Sequence, residues 1–153
     1  MRRVPTKYTL GAGDAEGDSR LTAFDKALLK AGVGDMNLLK VSSILPPHAR
    51  KVDEIDLPRG SLLPTAYASI VSEEPGERIA AAVAVGVSTD EGFGVIMEWS
   101  GRGDREKAAE QVTNMVKEAL ATRGLELADL HVAASDHRVE KIGCCVAVVA
   151  LWD

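Results

Sequence analysis

Apolar positions along the chain fall into two periods. Leu21, Phe24, Leu28 and Ala31 recur every three to four residues, as do Ala108, Val112, Met115, Val116, Ala119 and Leu120. That spacing puts apolar side chains on one face of a helix. The first set predicts a helix capped by Asp18 or Ser19, running to about Ala31 and stopped by Gly32. The second predicts a helix over Asp104–Arg123, capped by Asp104 and followed by Gly124. Shorter apolar runs near Leu62–Val71, Ile79–Val87, Val95–Glu98, Leu130–Ala134 and Ile142–Trp152 read as strands, with another over about Met36–Ser42. Ile79–Val87 has no polar residue, as expected of a strand covered on both faces or at a subunit contact. Residues 8–17, with Gly11, Gly13, Asp14, Glu16 and Gly17, read as a loop. They lack the lysine of a phosphate-binding loop, and their acids would repel phosphate. The stretch 46–60, with Pro46, Pro47 and Pro58, reads as a second loop. Strands cluster between the two helices instead of alternating with them, which favours an α+β arrangement over a Rossmann one. With no internal repeat or linker, the 153 residues are read as a single domain, 1–153.

Composition narrows the partners. Aromatic residues are only 4%, so Ala, Val, Leu and Ile must build the core. The formal net charge of −5 argues against nucleic acid or an anionic membrane surface, both of which need a cationic face. No run reaches the length of a membrane-spanning helix, and no apolar stretch follows the basic start Met1-Arg2-Arg3 as in a signal peptide. Cys144 and Cys145 are adjacent, so a strand would point them to opposite faces. They read as two small buried thiols of a reducing cytoplasm, and they lack metal-ligand spacing. His48, His131 and His137 are scattered and read as surface or loop residues.

The stretch Lys40-Val41-Ser42-Ser43-Ile44-Leu45-Pro46-Pro47 carries candidate chemistry. In a strained turn, the Ser43 hydroxyl is placed to attack the carbonyl of Ser42 and convert that amide into an ester. Elimination across the Ser43 side chain then cuts the chain. Hydrolysis of the resulting dehydroalanine leaves a pyruvoyl group on a new N-terminus, an electron sink made from the protein itself. Taken alone, the same residues also describe an ordinary strand end stopped by a proline pair.

The run from Leu21 to Pro47 closely resembles the pyruvoyl-dependent arginine decarboxylases. Further blocks match in order: Gly60-Ser61-Leu62, Pro64-Thr65-Ala66-Tyr67, Ser72-Glu73-Glu74-Pro75-Gly76-Glu77, Ala81–Val87, Gly94–Trp99 and Val139–Cys144. The resemblance covers the chain from about Tyr8 onward. It implies a four-layer αββα sandwich that assembles into a homotrimer, or a dimer of trimers, with active sites where subunits meet. It implies cleavage between Ser42 and Ser43 into a β chain of residues 1–42 and an α chain of residues 43–153. The cofactor would be the pyruvoyl group derived from Ser43, the substrate L-arginine and the product agmatine. Two alternatives remain: a decarboxylase of this type acting on another amino acid, and an uncleaved homologue serving as a structural or regulatory subunit.

Three further residues take roles from this resemblance. Asn37 matches the residue that assists processing. It lies six positions before Ser43, and even spacing puts both on one side of an uninterrupted strand, though Asn37 alone equally reads as a strand start. Glu98 matches the catalytic glutamate. It is a carboxylate in an apolar strand, where burial raises the pKa toward that of a general acid, although Ser100 and Gly101 beside it also suit an exposed strand end. Asp25 matches a substrate-binding aspartate. It borders the apolar helix face and also reads as a solvated helix charge; a carboxylate there suits the planar fork of a guanidinium.

Overall fold

In the computed structural model, residues 3–153 are described; Met1 and Arg2, at the basic start, lie outside them. Strand β1 (Lys7–Glu16) leads into helix α1 (Arg20–Lys30) and the short strands β2 (Asn37–Lys40), β3 (Ile44–Leu45) and β4 (Arg50–Lys51). Long strands β5 (Leu62–Ser72), β6 (Arg78–Ser88) and β7 (Gly94–Arg102) precede helix α2 (Arg105–Thr122). Strands β8 (Leu127–Arg138) and β9 (Gly143–Trp152) close the chain.

Both helices start where the sequence places their caps. The Ser19 hydroxyl accepts from the Thr22 N–H at 3.1 Å, and the Thr22 hydroxyl accepts from the Ser19 N–H at 3.0 Å, a reciprocal capping box. The Asp104 carboxylate accepts from the Lys107 N–H at 2.8 Å. Gly32, with φ +87°, turns the chain just past α1.

One sheet has the order β2-β5-β9-β1-β4 and the other β3-β7-β6-β8. Alternation along the strands builds three cores. On β9, Cys145, Ala147, Val149 and Leu151 face the opposite sheet, while Cys144, Val146, Val148 and Ala150 face α1. On β6, Ile79, Ala81, Val83 and Val85 enter the inter-sheet core, while Ala80, Ala82 and Ala84 meet Ala108, Val112, Val116 and Leu120 of α2. The layers therefore run α1, sheet, sheet, α2, the α+β sandwich expected. Strand β6 is buried because both of its faces are covered. The adjacent cysteines diverge into separate cores, and burial pushes their thiols up to about 11 for Cys144 and about 12 for Cys145.

The loop expected over residues 8–17 is instead a full-length strand. It pairs antiparallel with β9 from Lys7↔Trp152 to Glu16↔Gly143. Its glycines serve close packing, not turning. A Cβ on Gly11 would sit 2.1 Å from the Ala31 carbonyl oxygen, and one on Gly13 2.4 Å from that of Ala27. Glycine lets α1 lie directly on the strand. The proline-rich stretch 46–60 is mostly loop, as expected, but Arg50–Lys51 pairs parallel with the start of β1.

Candidate functional site

The serine pair lies where the chain passes from one sheet to the other. Strand β2 pairs parallel with β5 from Asn37↔Leu62 to Lys40↔Thr65, and the Val41 N–H still donates to the Thr65 carbonyl at 3.2 Å. Two residues later the Ser43 carbonyl accepts from the Ile96 N–H of β7 at 2.8 Å. Ile44 and Leu45 then pair antiparallel with Val95 and Gly94. The Ser42–Ser43 bond thus spans the gap between the sheets, held at Val41 on one side and at Ser43 on the other. Ser42 is exposed and Ser43 half-buried. An open, mainly apolar cavity of about 590 Å³ borders this crossing through Val41 and Ile44, and includes Leu39, Leu62, Pro64 and Trp152.

This geometry corrects one expectation. The strand over Met36–Ser42 ends at Lys40, so Asn37 and Ser43 do not share a strand and even spacing no longer relates them. The Asn37 side-chain amide donates to the Gly60 carbonyl at 2.9 Å. Ser42 and Ser43 both have negative φ. Among the described residues, the non-glycine left-handed conformations are at His48 (φ 64°) and Glu91 (φ 55°). The His48 N–H donates to the Glu91 carbonyl at 3.0 Å, tying the turn after the proline pair to the β6–β7 turn. These two left-handed residues thus sit in facing turns, one just after the proline pair and one between β6 and β7.

Glu98 is on β7, two residues beyond Ile96. Side chains two apart share a strand face, so Glu98 stands on the inter-sheet side where Ile96 is buried. It is about one-third exposed. Its partner is Lys40, the last residue of β2, with the ammonium 3.5 Å from the carboxylate. The same ammonium lies 4.8 Å from the centre of the Tyr67 ring on β5. Desolvation raises the Glu98 pKa; attraction to Lys40, a hydrogen bond from it and the Tyr67 backbone N–H offset part of that rise. The direction is the one expected from a carboxylate in an apolar strand.

Asp25 is exposed on α1. Its neighbour Phe24 approaches Tyr67, with ring centroids 6.4 Å apart. The structure pairs Glu98 with Lys40 and ties the serine crossing to β7 at Ile96, two residues before Glu98, while it leaves Asn37 bonded to Gly60 and Asp25 on the outer helix layer. Sequence reasoning missed Lys40 and Tyr67. A signal for them was their place in the matched blocks, Lys40 within Leu21–Pro47 and Tyr67 within Pro64–Tyr67.

It also misread His137, which is on β8 and only 13% exposed. Its Nδ1 lies 2.7 Å from Asp14 and its Nε2 2.5 Å from Glu16, both on β1 of the other sheet. Glu16 further accepts from the N–H groups of Glu140, Lys141 and Ile142. Desolvation raises the Glu16 pKa, but the Lys141 N–H, His137 and the other two N–H groups outweigh it and bring it down to about 2. Desolvation lowers the His137 pKa, but its bonds to Glu16 and Asp14 prevail and raise it. These groups lock the two sheets at β1 and β8, each on the far side of its sheet from the serine crossing. Among the described residues no group of His, Cys, Asp and Glu is arranged to hold a metal ion, and no helix is long and apolar enough to cross a membrane.

A family model described as pyruvoyl-dependent arginine decarboxylase matches residues 7–153. The curated pyruvoyl-dependent arginine decarboxylase of Methanocaldococcus jannaschii is 44% identical over 151 residues, covering 98% of this chain and 92% of that protein. Its counterpart from Thermococcus kodakarensis is also 44% identical, covering 97% of this chain and 96% of its own. That of Pyrococcus horikoshii is 43% identical over 152 residues, with 97% and 96% covered.

Proposed function

The chain belongs to the pyruvoyl-dependent arginine decarboxylase family, and we propose that it decarboxylates L-arginine to agmatine after cutting itself between Ser42 and Ser43. The observation that carries this reading is the sheet-to-sheet crossing. It holds the bond on both sides, borders a cavity through Val41 and Ile44, and has Glu98 two residues beyond the Ile96 amide that fixes Ser43. Ser43 attacks the Ser42 carbonyl, and elimination and hydrolysis leave the pyruvoyl group on residue 43. Asn37 assists that shift, which requires its amide to rotate away from Gly60.

The pyruvoyl group supplies an electron-withdrawing ketone that accepts the electrons left when carbon dioxide departs. The chain's own residues do the rest. Glu98, its pKa raised by burial, delivers the proton to the carbon that lost carbon dioxide. Asp25 pairs with the guanidinium of the substrate. Asp25 lies on the outer layer, so this role is best met by Asp25 of a second copy set against the serine crossing. The exposed apolar side chains Leu39, Ile44 and Leu62 around the cavity support such a contact, as part of a homotrimer or a dimer of trimers. Two free thiols in separate cores suit a reducing cytoplasm.

The deciding experiment is the intact mass of the purified protein. Two fragments, residues 1–42 and a pyruvoyl-bearing 43–153, are expected. Ser43→Ala should give one full-length chain without activity, since no side-chain oxygen remains to attack. A single uncut wild-type chain would instead favour the structural or regulatory homologue. Release of carbon dioxide from another amino acid in preference to arginine would remove the substrate assignment.

A further inference from the structure

Lys40 pairs with Glu98 and lies just before the serine crossing in the chain, and no step of the proposed reaction uses it. It is the last paired residue of β2, three positions before Ser43. Its ammonium lies 3.5 Å from the Glu98 carboxylate and 4.8 Å from the centre of the Tyr67 ring. Cation–π attraction to the aromatic face favours this position of the ammonium beside the carboxylate. Phe24 of α1 packs near the same ring and completes its support.

The surroundings make Lys40 the cation that governs Glu98. Of the elements packed against β7, β2 supplies Lys40, and β5 supplies the Tyr67 N–H and ring. Opposite Glu98 on β6 is the apolar Val83, and β3 contributes Ile44 and Leu45. The nearest cation of α2, Lys107, lies on the other face of β7, 5.7 Å from the ring centre of Trp99. β9 turns Cys145, Ala147, Val149 and Leu151 toward this layer, none of them charged.

We propose that Lys40 is a positioning residue for the reaction, holding the Glu98 carboxylate at the Ser42–Ser43 crossing and governing the pH at which that carboxyl takes up the proton it delivers. The proposal rests on the reading of Glu98 as proton donor. A donor must carry its proton when the substrate carbon needs it and regain one after each turnover, so a neighbouring cation that tempers the effect of burial sets its working range. A guanidinium at position 40 keeps the charge; a methionine keeps the length and loses it.

The test uses the uncut Ser43→Ala chain, so it depends neither on processing nor on turnover. Glutamate carboxyls are labelled with carbon-13, and the Glu98 signal is identified by its loss in Glu98→Gln. Adding Lys40→Met should move the Glu98 titration upward by roughly half to one pH unit, the lower end of the range for a nearby opposite charge because the pair is partly exposed. Lys40→Arg should return it to the parent value. In the cleaved enzyme, the alkaline limb of the kcat profile should move up with Lys40→Met and back with Lys40→Arg. Lys40 is more than half exposed, so folding is expected to survive; Lys40→Gln repeats the measurement if the methionine variant loses its dispersed amide spectrum. A Glu98 titration that stays in place when Lys40 is neutralised in a folded chain overturns the proposal. Undiminished turnover in Glu98→Gln would sink the proton-donor reading instead, and would leave the titration result standing.

Discussion

A carboxylate in a strand becomes a proton donor only through what surrounds it. Glu98 has its pKa raised chiefly by burial, with Lys40 acting the other way. Glu98→Gln keeps the shape and loses the acidic proton. The variant should still cleave at Ser43, yet lose about 10²–10⁴-fold in kcat, the range ascribed to a positioned general acid. Single-turnover release of carbon dioxide from arginine, measured on the cleaved fraction, checks this. The role proposed for Asp25 is binding. Asp25→Ala should raise KM more than it lowers kcat, with kcat/KM down about ten- to a hundredfold, equivalent to a charged hydrogen bond of roughly 1.5–3 kcal/mol. An unchanged KM for arginine in steady-state assays would mean that the guanidinium is held elsewhere.

At the scale of elements, β1 and β8 are joined by a charged lock. His137 bonds both Asp14 and Glu16, and two donating ring nitrogens require the imidazolium. The His137 pKa is raised, so its contribution to stability is fully present below the ordinary value of 6.5 and fades as pH rises through the higher folded value. The Glu16 pKa is lowered to about 2, so its contribution is present above the ordinary 4.5 and fades as pH falls through the folded value. The melting temperature should therefore be highest between about pH 4.5 and 6.5, as far as this lock determines it. His137→Gln should lose stability in that window and flatten the alkaline decline, which thermal denaturation across pH would reveal. An alkaline decline of undiminished size in the variant would assign it to other groups. The strand that carries Asp14 and Glu16 was illegible in the sequence. Gly11 and Gly13 mimic turn residues, and only the approach of α1 within reach of a Cβ explains them.

At the scale of the whole molecule, the open edge formed by β2 and β3 holds the serine crossing, and exposed Leu39, Ile44 and Leu62 surround it. A second copy covering this edge would bury those side chains. Leu62, at 67% exposure, tests that arrangement without disturbing a core. Leu62→Asp should leave the monomer folded but lower the assembly mass in sedimentation or light scattering, with activity falling in step. Unchanged mass would place the subunit contact on another face.

What the sequence by itself determined follows from local rules. Helix limits came from caps and period, five strands from apolar runs, and the divergence of Cys144 and Cys145 from the two-residue repeat. The family, and with it Ser43, Glu98, Asn37 and Asp25 as candidates, came from blocks of residues in order. Tertiary structure decided what depends on partners distant in the chain. It ended β2 at Lys40, because the next residues must cross to β7, and so separated Asn37 from the strand line of Ser43. It turned a glycine-rich stretch into a strand because a helix presses on it, and placed His137 between two acids more than a hundred residues away. Period and propensity act over a turn or a strand, whereas a carboxylate's proton affinity and a glycine's purpose are set by whatever packs against them.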